Sequence, residues 1–280
     1  MIIISNQEKI NQTIAKIKAD GIAKLHFLAD FDKTLTKLIV KGRKMPSFIA
    51  QLRDGNYLTE NYATQAQALY DQYHPIEIDP NIAESEKKQA MHDWWQQHFE
   101  LLINSGLNKK DIIKVTESEL IQLREGTVEL LKNLSQLQIP LVILSSAGLG
   151  YEPIELLLKK NNCYFKNIKV ISNELEYDQD GKVIKRKEPI IHTLNKDETL
   201  LADFPFYPEI ENRKNVVLLG DSLSDLKMIT GFDYDNLIKI GFLNENVEAN
   251  LDKYKDSYDV VITDDGDMGY VNELLAKITK

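Results

Sequence analysis

Cysteine is nearly absent: Cys163 is the only one in 280 residues. No disulfide can close within the chain, so neither a disulfide-stapled scaffold nor an oxidising compartment is indicated. With no thiol or metal partner suggested nearby, Cys163 reads as a small core filler. Long apolar runs are missing too, and no stretch approaches the ~20 residues that a membrane helix needs. Met1-Ile2-Ile3-Ile4 is too short for the apolar part of a secretion signal and lacks a basic leader. A soluble, cytoplasmic protein with no membrane partner is expected. Basic charge is in deficit: 34 Lys and Arg stand against 43 Asp and Glu, a net charge of −9. That argues against a nucleic-acid partner, whose phosphates need a basic face. It leaves room for a small phosphorylated substrate, which a metal ion and one or two lysines can neutralise locally.

What is present is the composition of a globular protein, 43% hydrophobic and 28% charged. The length suits one large domain carrying an insertion, or two modest domains. Apolar positions at Ile10, Ile14 and Ile17 predict a leading amphipathic helix over 5–20. Residues 25–29 form a short apolar run with acids at its end, the pattern of a buried parallel strand. From about 37 to 125 the pattern is helical and polar, with no convincing strand. After it, strand-like runs at 141–144, 168–171, 216–219, 237–240 and 260–262 alternate with helical segments such as 152–160 and 223–229. Asp178-Gln179-Asp180-Gly181 reads as a hairpin turn between arms at 175–177 and 182–185. This alternation predicts an α/β fold, a doubly wound parallel-sheet (Rossmann-like) core built from 1–36 and 126–280. The block 37–125 is too long for a simple crossover and is expected to be an inserted α-helical cap.

Asp30-Phe31-Asp32-Lys33-Thr34-Leu35-Thr36 ends the first core strand. Two carboxylates two residues apart on extended chain point the same way. A lone pair of this kind is often only a turn. The full string after a buried strand instead suits phosphoryl transfer through an aspartyl-phosphate. One carboxylate attacks phosphorus while the other protonates the leaving oxygen and then activates water. Such charge needs Mg²⁺ as cofactor. Ser145-Ser146-Ala147-Gly148 follows the next strand and offers a hydroxyl and free N–H groups to a phosphate oxygen. Lys196 is a candidate to neutralise phosphate and nucleophile. Gly220-Asp221-Ser222-Leu223-Ser224-Asp225 ends a further strand. There Asp221 can ligate the metal, and Asp225 can support it or orient Lys196. Singly these pieces are weak; their order, each at a strand end, is not.

The set resembles the haloacid dehalogenase-like hydrolase superfamily. Longer strings resemble its cytosolic 5′-nucleotidase III (pyrimidine 5′-nucleotidase) family: Ile76-Glu77-Ile78-Asp79-Pro80, Val170-Ile171-Ser172-Asn173, Ile190-Ile191-His192 with Asn195-Lys196, and Lys239-Ile240-Gly241-Phe242-Leu243-Asn244. The resemblance runs from about residue 20 to 275. It implies hydrolysis of nucleoside 5′-monophosphates, chiefly pyrimidine ones, with some phosphotransferase activity. It implies Asp30 as nucleophile, Asp32 as general acid/base, and Mg²⁺ on Asp30, the Asp32 carbonyl and Asp221. Ser146, Ala147, Lys196 and Thr34 are then expected around the phosphate, and Glu77 against the nucleoside. Trp94-Trp95-Gln96-Gln97-His98 places His98 where the family usually has a serine, which changes the shape and hydrogen bonding of the pocket. Either Trp94 or Trp95 is a candidate to stack on a base. Asp264-Asp265-Gly266-Asp267 lacks metal-loop spacing and reads as a turn before the last helix.

The enzymatic alternatives are a phosphatase for 7-methyl-GMP or for a phosphoamino acid, since specificity lies in the cap. A non-catalytic binding protein on this fold would be free to lose Asp30 or Asp32, and both are present. The expected partner is a nucleotide. A monomer is the expected state, with a dimer as the alternative.

Overall fold

In the computed structural model, which describes residues 1–197, 201 and 204–280, the chain opens with β1 (Ile2–Ile4), α1 (Gln7–Asp20) and β2 (Leu25–Ala29). Asn6 caps α1 by accepting from the Lys9 N–H, and Gly21 ends it at φ 83°, a backbone conformation that favours glycine. The chain then leaves the sheet. A small hairpin, β3 (Ile39–Val40) and β4 (Arg43–Lys44), precedes four helices: α2 (Phe48–Asp54), α3 (Tyr62–Ile78), α4 (Glu84–Asn104) and α5 (Lys109–Glu117). That hairpin is a correction to the expectation of no strand here. With two residues per strand it leaves no alternating pattern to detect. The core resumes with α6 (Thr127–Gln136), β5 (Leu141–Leu144), α7 (Glu152–Lys160) and β6 (Ile168–Ile171). The hairpin β7 (Leu175–Tyr177) and β8 (Val183–Arg186) follows. Then come β9 (Asn215–Gly220), β10 (Asn236–Leu243), α8 (Val247–Ser257), β11 (Val260–Thr263) and α9 (Gly269–Thr279). The segment Leu223–Ile229 is 3₁₀ rather than α-helical.

Seven strands form the main sheet in the order β1-β11-β10-β9-β2-β5-β6. All pairs are parallel except β1 with β11. Alternate residues of each central strand enter opposite layers. Phe27, Ile143, Val217 and Leu219 pack on one face; Leu28, Val142, Leu144 and Leu218 pack on the other. Burial on both faces explains why these strands are continuous apolar runs. Among the described residues no helix is long and apolar enough to cross a membrane.

Register places the functional loops. Ala29 lies opposite Ile143 of β5 and Leu219 of β9. Asp30, Ser145-Ser146 and Gly220-Asp221 therefore emerge side by side at the carboxyl edge of three adjacent strands, where ligands bind in such sheets.

The helical insertion is tied to the core at its two crossings. Thr36 bridges Leu123, the Lys37 N–H donates to the Gln122 carbonyl at 2.9 Å, and the Arg124 N–H donates to the Leu35 carbonyl at 2.9 Å. The buried Arg124 guanidinium fastens this crossing to the catalytic loop. It donates to the carbonyls of Thr34 (2.9 Å) and Lys33, to Asp265 Oδ1 (3.0 Å) and to Asn244 Oδ1 (3.2 Å), and it lies over the Phe242 ring. Asp265 also accepts from the N–H groups of Leu38 and Ile39. The acidic turn before α9 is thus a clamp on both strands of the crossing.

Replacing Arg124 with Leu is expected to cost about 3–5 kcal/mol, because Asp265 and the loop carbonyls lose a buried charged donor. Urea unfolding measures it. A loss below about 1 kcal/mol would show that the catalytic loop holds its shape without the clamp.

Candidate active site

Asp30 sits one residue past β2, its N–H bonded to the Leu219 carbonyl at 3.0 Å. The following turn wraps on one atom: the N–H groups of Leu35 (3.0 Å) and Thr36 (3.2 Å) both donate to the Phe31 carbonyl. Lys33 takes φ 60° to make that turn, and its N–H donates to Thr36 Oγ1 at 2.8 Å. Asp30 is buried, and Asp32 is half-buried on the open side of the turn. Thr34 is fully buried; its carbonyl accepts from Arg124, while its hydroxyl is buried without a partner among the described residues.

Lys196 is brought to Asp30 from a distant loop. Its ammonium donates to Asp30 Oδ1 at 2.5 Å and to Asp225 Oδ1 at 3.0 Å. The other Asp225 oxygen accepts from the N–H groups of Asp221 (3.0 Å) and Ser222 (2.9 Å) and from the Ser222 hydroxyl (3.1 Å). Asp225 is therefore the orienter of Lys196. Gly220 makes room for it: a Cβ there would lie 2.6 Å from the Asp225 Cβ. Tyr254 of α8 and Tyr258, the extended residue that follows that helix, donate to the carbonyls of Asp221 (2.6 Å) and Ser222 (2.5 Å), holding the loop.

Burial and the neighbouring Asp225 charge push the Asp30 carboxyl up to about 7, against the opposing pull of Lys196. Burial first, then the Asp225 and Asp30 charges, hold Asp221 well above the usual carboxylate range. Burial also raises Asp32, opposed by Lys33 and Lys196. Burial works to lower the Lys196 ammonium, yet the Asp225 and Asp30 charges keep it above its usual value.

Carboxylate oxygens of Asp30, Asp221 and Asp225 lie within 4.8 Å of one another. Crowded acids, with Asp30 and Asp221 raised, form a donor set suited to a hard divalent cation. Because Asp225 is already committed to four donors, Asp30 and Asp221 are the side chains left to hold that ion.

The phosphate-side turn completes the rim. Ser145 is buried and Ser146 is half-exposed, with Ala147 beneath it. Asn173, fully buried, ties this turn to the lysine loop: its Nδ2 donates to the Ala147 carbonyl (3.2 Å) and the Ile191 carbonyl (2.9 Å). Helices α3 and α4 approach from above. A Cβ at Gly148 would lie 2.4 Å from the Trp95 ring, so this glycine lets the indole descend onto the phosphate turn. Trp95 stacks near Trp94, and Trp94 near Tyr73, with interplanar angles of 16° and 10°. The Trp94 indole N–H is buried and has no partner among the described residues. Glu77, in the last turn of α3, accepts from Thr193 Oγ1 at 2.9 Å. His98 lies deeper: it is buried, its Nε2 is 3.0 Å from the Tyr62 hydroxyl, and its ring is tilted against Trp95. Burial, then the Arg53 charge, hold its pKa down to about 4, so it is neutral at neutral pH.

Asp30, Asp32, Ser146, Ala147, Lys196, Asp221 and Asp225 thus converge on one rim, with Glu77 and Trp95 above them. The contacts of His98 are with cap residues. Sequence reasoning assigned no role to Arg124, Asn173, Thr193, Tyr254 or Tyr258.

The raised carboxyls give a pH prediction for protein stripped of metal. Groups whose pKa rises on folding stabilise the fold below their unfolded value, about 4, and that contribution is lost as pH climbs through the folded value. For Asp30 the folded value is about 7. Thermal unfolding in EDTA should show Tm falling from about pH 5 to about pH 8, with a shallower slope in Asp30→Asn. Added Mg²⁺ should restore Tm at the alkaline end. A Tm that rises across this interval would contradict the buried-acid account.

The profile of the pyrimidine 5′-nucleotidase (UMPH-1) family matches residues 33–279. A 7-methylguanosine phosphate-specific 5′-nucleotidase from Gallus gallus is 34% identical over 98% of this chain and 95% of its own. The Homo sapiens protein of the same name is 32% identical over 99% of this chain and 92% of its own. The crystal structure of cytosolic 5′-nucleotidase IIIB bound to cytidine matches with a TM-score of 0.87 at 32% identity, covering 99% of this chain and 93% of that one. With the profile covering nearly the whole chain, this protein belongs to the pyrimidine 5′-nucleotidase (UMPH-1) family of phosphoric monoester hydrolases.

Proposed function

We propose that this protein hydrolyses nucleoside 5′-monophosphates through a phosphorylated Asp30, with 7-methylguanosine 5′-monophosphate preferred and pyrimidine nucleotides next. The observation that carries the reading is the Asp30–Lys196–Asp225 arrangement lying beneath Glu77 and the Trp94–Trp95 wall.

Lys196 holds Asp30 and offsets charge as the phosphoryl group arrives. Ser146 Oγ and the Ala147 N–H bind phosphate oxygens, with Thr34 supporting the loop below. An Asp30 oxygen attacks phosphorus as the bond to the nucleoside 5′-oxygen breaks. Asp32, raised by burial, gives its proton to that oxygen. Asp32 then takes a proton from water, which attacks the acyl phosphate, releases phosphate and regenerates Asp30. When bound to Asp30, Asp221 and the Asp32 carbonyl, a magnesium ion would supply further charge neutralisation at phosphorus.

The base preference rests on the cap. A 7-methylated guanine carries a delocalised positive charge, which favours aromatic faces and a carboxylate. The part-exposed Trp94 and Trp95 supply the faces, with Tyr73 packed behind Trp94. Glu77 supplies the acceptor for N–H donors on the base. The Gallus gallus and Homo sapiens relatives carry this nucleotide in their names. The cytidine in the similar crystal structure, and the family name, support pyrimidines as the second choice. A phosphoamino acid fits less well, because its own carboxylate would meet Glu77. The absence of a membrane helix among the described residues and the naming of that relative as cytosolic support a cytosolic setting.

Phosphate release from 7-methyl-GMP, CMP, UMP, AMP, GMP, phosphoserine and an aryl phosphate tests the proposal. Turnover should be lost in EDTA, return with Mg²⁺, and peak on 7-methyl-GMP. Asp30→Asn should lower it by on the order of a thousandfold or more while the fold persists. Faster turnover of phosphoserine or the aryl phosphate would overturn the nucleotide reading.

A further inference from the structure

The segment 190–196 has no regular secondary structure, yet it is closely tied. The Ile191 N–H donates to Asn173 Oδ1 at 2.9 Å, and Asn173 Nδ2 returns a bond to the Ile191 carbonyl at 2.9 Å. Asn195 Nδ2 donates to the Ile190 carbonyl at 2.7 Å, and the His192 N–H donates to Asn195 Oδ1 at 2.7 Å. The Leu194 N–H donates to His192 Nδ1 at 3.2 Å. The segment is thus a stiff strap. One end carries Lys196 against the nucleophile.

Three residues earlier, Thr193 faces the cap. Its hydroxyl donates to Glu77 Oε1 at 2.9 Å across 116 residues of sequence. The other carboxylate oxygen, Oε2, faces His74 Nδ1 at 3.3 Å, and Lys87 Nζ donates to the Glu77 carbonyl at 3.0 Å. The Glu77 carboxylate is therefore held at both oxygens. His74 lies on the same helix as Glu77, so of these two partners only Thr193 refers the acid to the phosphate side. An ionised carboxylate has about four acceptor positions, so roughly two stay open for donors on a base. Glutamate is a rotamer-rich side chain, and ordering it in advance spares the bound complex that cost.

We propose that Thr193 is a positioning residue for substrate selection: its hydroxyl aims Glu77 at the nucleobase from the strap that carries Lys196. This rests on Glu77 being the base-recognising acid. Substrates without a base make no use of that aim, so losing the hydroxyl discriminates between substrate classes. A purely structural role for Thr193 would lower all substrates together.

The test compares kcat and KM for 7-methyl-GMP and p-nitrophenyl phosphate in wild type, Thr193→Val, Thr193→Ser, Glu77→Gln and the Val–Gln double variant. Thr193→Val should lose about tenfold more kcat/KM on the nucleotide than on the aryl phosphate, mainly through KM. Thr193→Ser should recover most of it. In the Glu77→Gln background, Thr193→Val should add less than about twofold. Should the valine variant not fold, Thr193→Ala removes the same hydroxyl and is subject to the same comparison. Equal losses on both substrates, or a full tenfold loss added to Glu77→Gln, would overturn the role given to Thr193. A wild type with no preference for the nucleotide, or a Glu77→Gln variant that loses equally on both substrates, would instead overturn the nucleotide reading beneath it.

Discussion

The ammonium of Lys196 lies 2.5 Å from Asp30 and 3.0 Å from Asp225, with all three side chains more than nine-tenths buried. Removing these charges from water is costly, and the pairing offsets the cost only where geometry is good and the remaining lone pairs are met. Both conditions are built in. Asp225 takes three further donors on its second oxygen, and Gly220 leaves the space that lets it approach. Acids still outnumber bases there: Asp30, Asp32, Asp221 and Asp225 face Lys196 and Lys33. Burial raises the carboxyls of the first three, and for Asp30 and Asp221 the neighbouring acids raise them further. A divalent cation would answer that imbalance, which an incoming anionic phosphoryl group deepens.

Every other feature of the core keeps that arrangement in register. Three neighbouring strands end level, so their loops meet without long side-chain reaches. Arg124 pins the carbonyls that follow the acid pair, and Asn173 couples the phosphate turn to the lysine loop. The helical insertion is also anchored away from the site. The hairpin β7–β8 bonds the α4–α5 connection through the Lys109 N–H to the Gly181 carbonyl (2.9 Å) and the Val183 N–H to the Leu107 carbonyl (2.8 Å). By contrast, the Glu84–Lys227 bridge near the mouth is solvent-exposed, a kind of contact worth little. Paired backbone bonds thus tie the base of the insertion, while single side-chain contacts such as Glu77–Thr193 and Glu84–Lys227 tie its rim. This gradient is what a cap needs if it is to admit a substrate without losing its alignment.

Much of this was legible in the sequence because local signals and chemistry agreed. Runs such as 141–144 and 216–219 are apolar at every position, since both faces of the sheet are covered. The acids follow them directly, so the motifs and the strand ends reported each other. The residues that were not legible are those whose partners lie far along the chain. Arg124 meets Thr34 and Asp265 across 90 and 141 residues, and Thr193 meets Glu77 across 116. No spacing rule reaches so far. The segment after Asp221 shows a different limit. Its apolar spacing fits either helix type, and in the structure the tighter 3₁₀ form is adopted. Adjacent side chains leave a helix about 100° apart, yet the indoles of Trp94 and Trp95 lie nearly parallel at 16°, and only tertiary packing shows Trp95 reaching Gly148.

The strap 190–196 also explains how a cap can select without disturbing the chemistry. Under the proposed reading, Lys196 reports on the phosphate and Thr193 on the acid that meets the base. Both stand on one stiff segment fixed by Asn173 and Asn195. The separation between phosphorus and base acceptor is then set by the core, and the cap closes onto it. A substrate whose base and phosphate match that span satisfies both ends at once. One that carries only the phosphate still meets Lys196, Asp30 and the phosphate turn. Selectivity so arranged is added to a core that is already competent, so a change in a cap side chain need not disturb Asp30, Lys196 or Asp225.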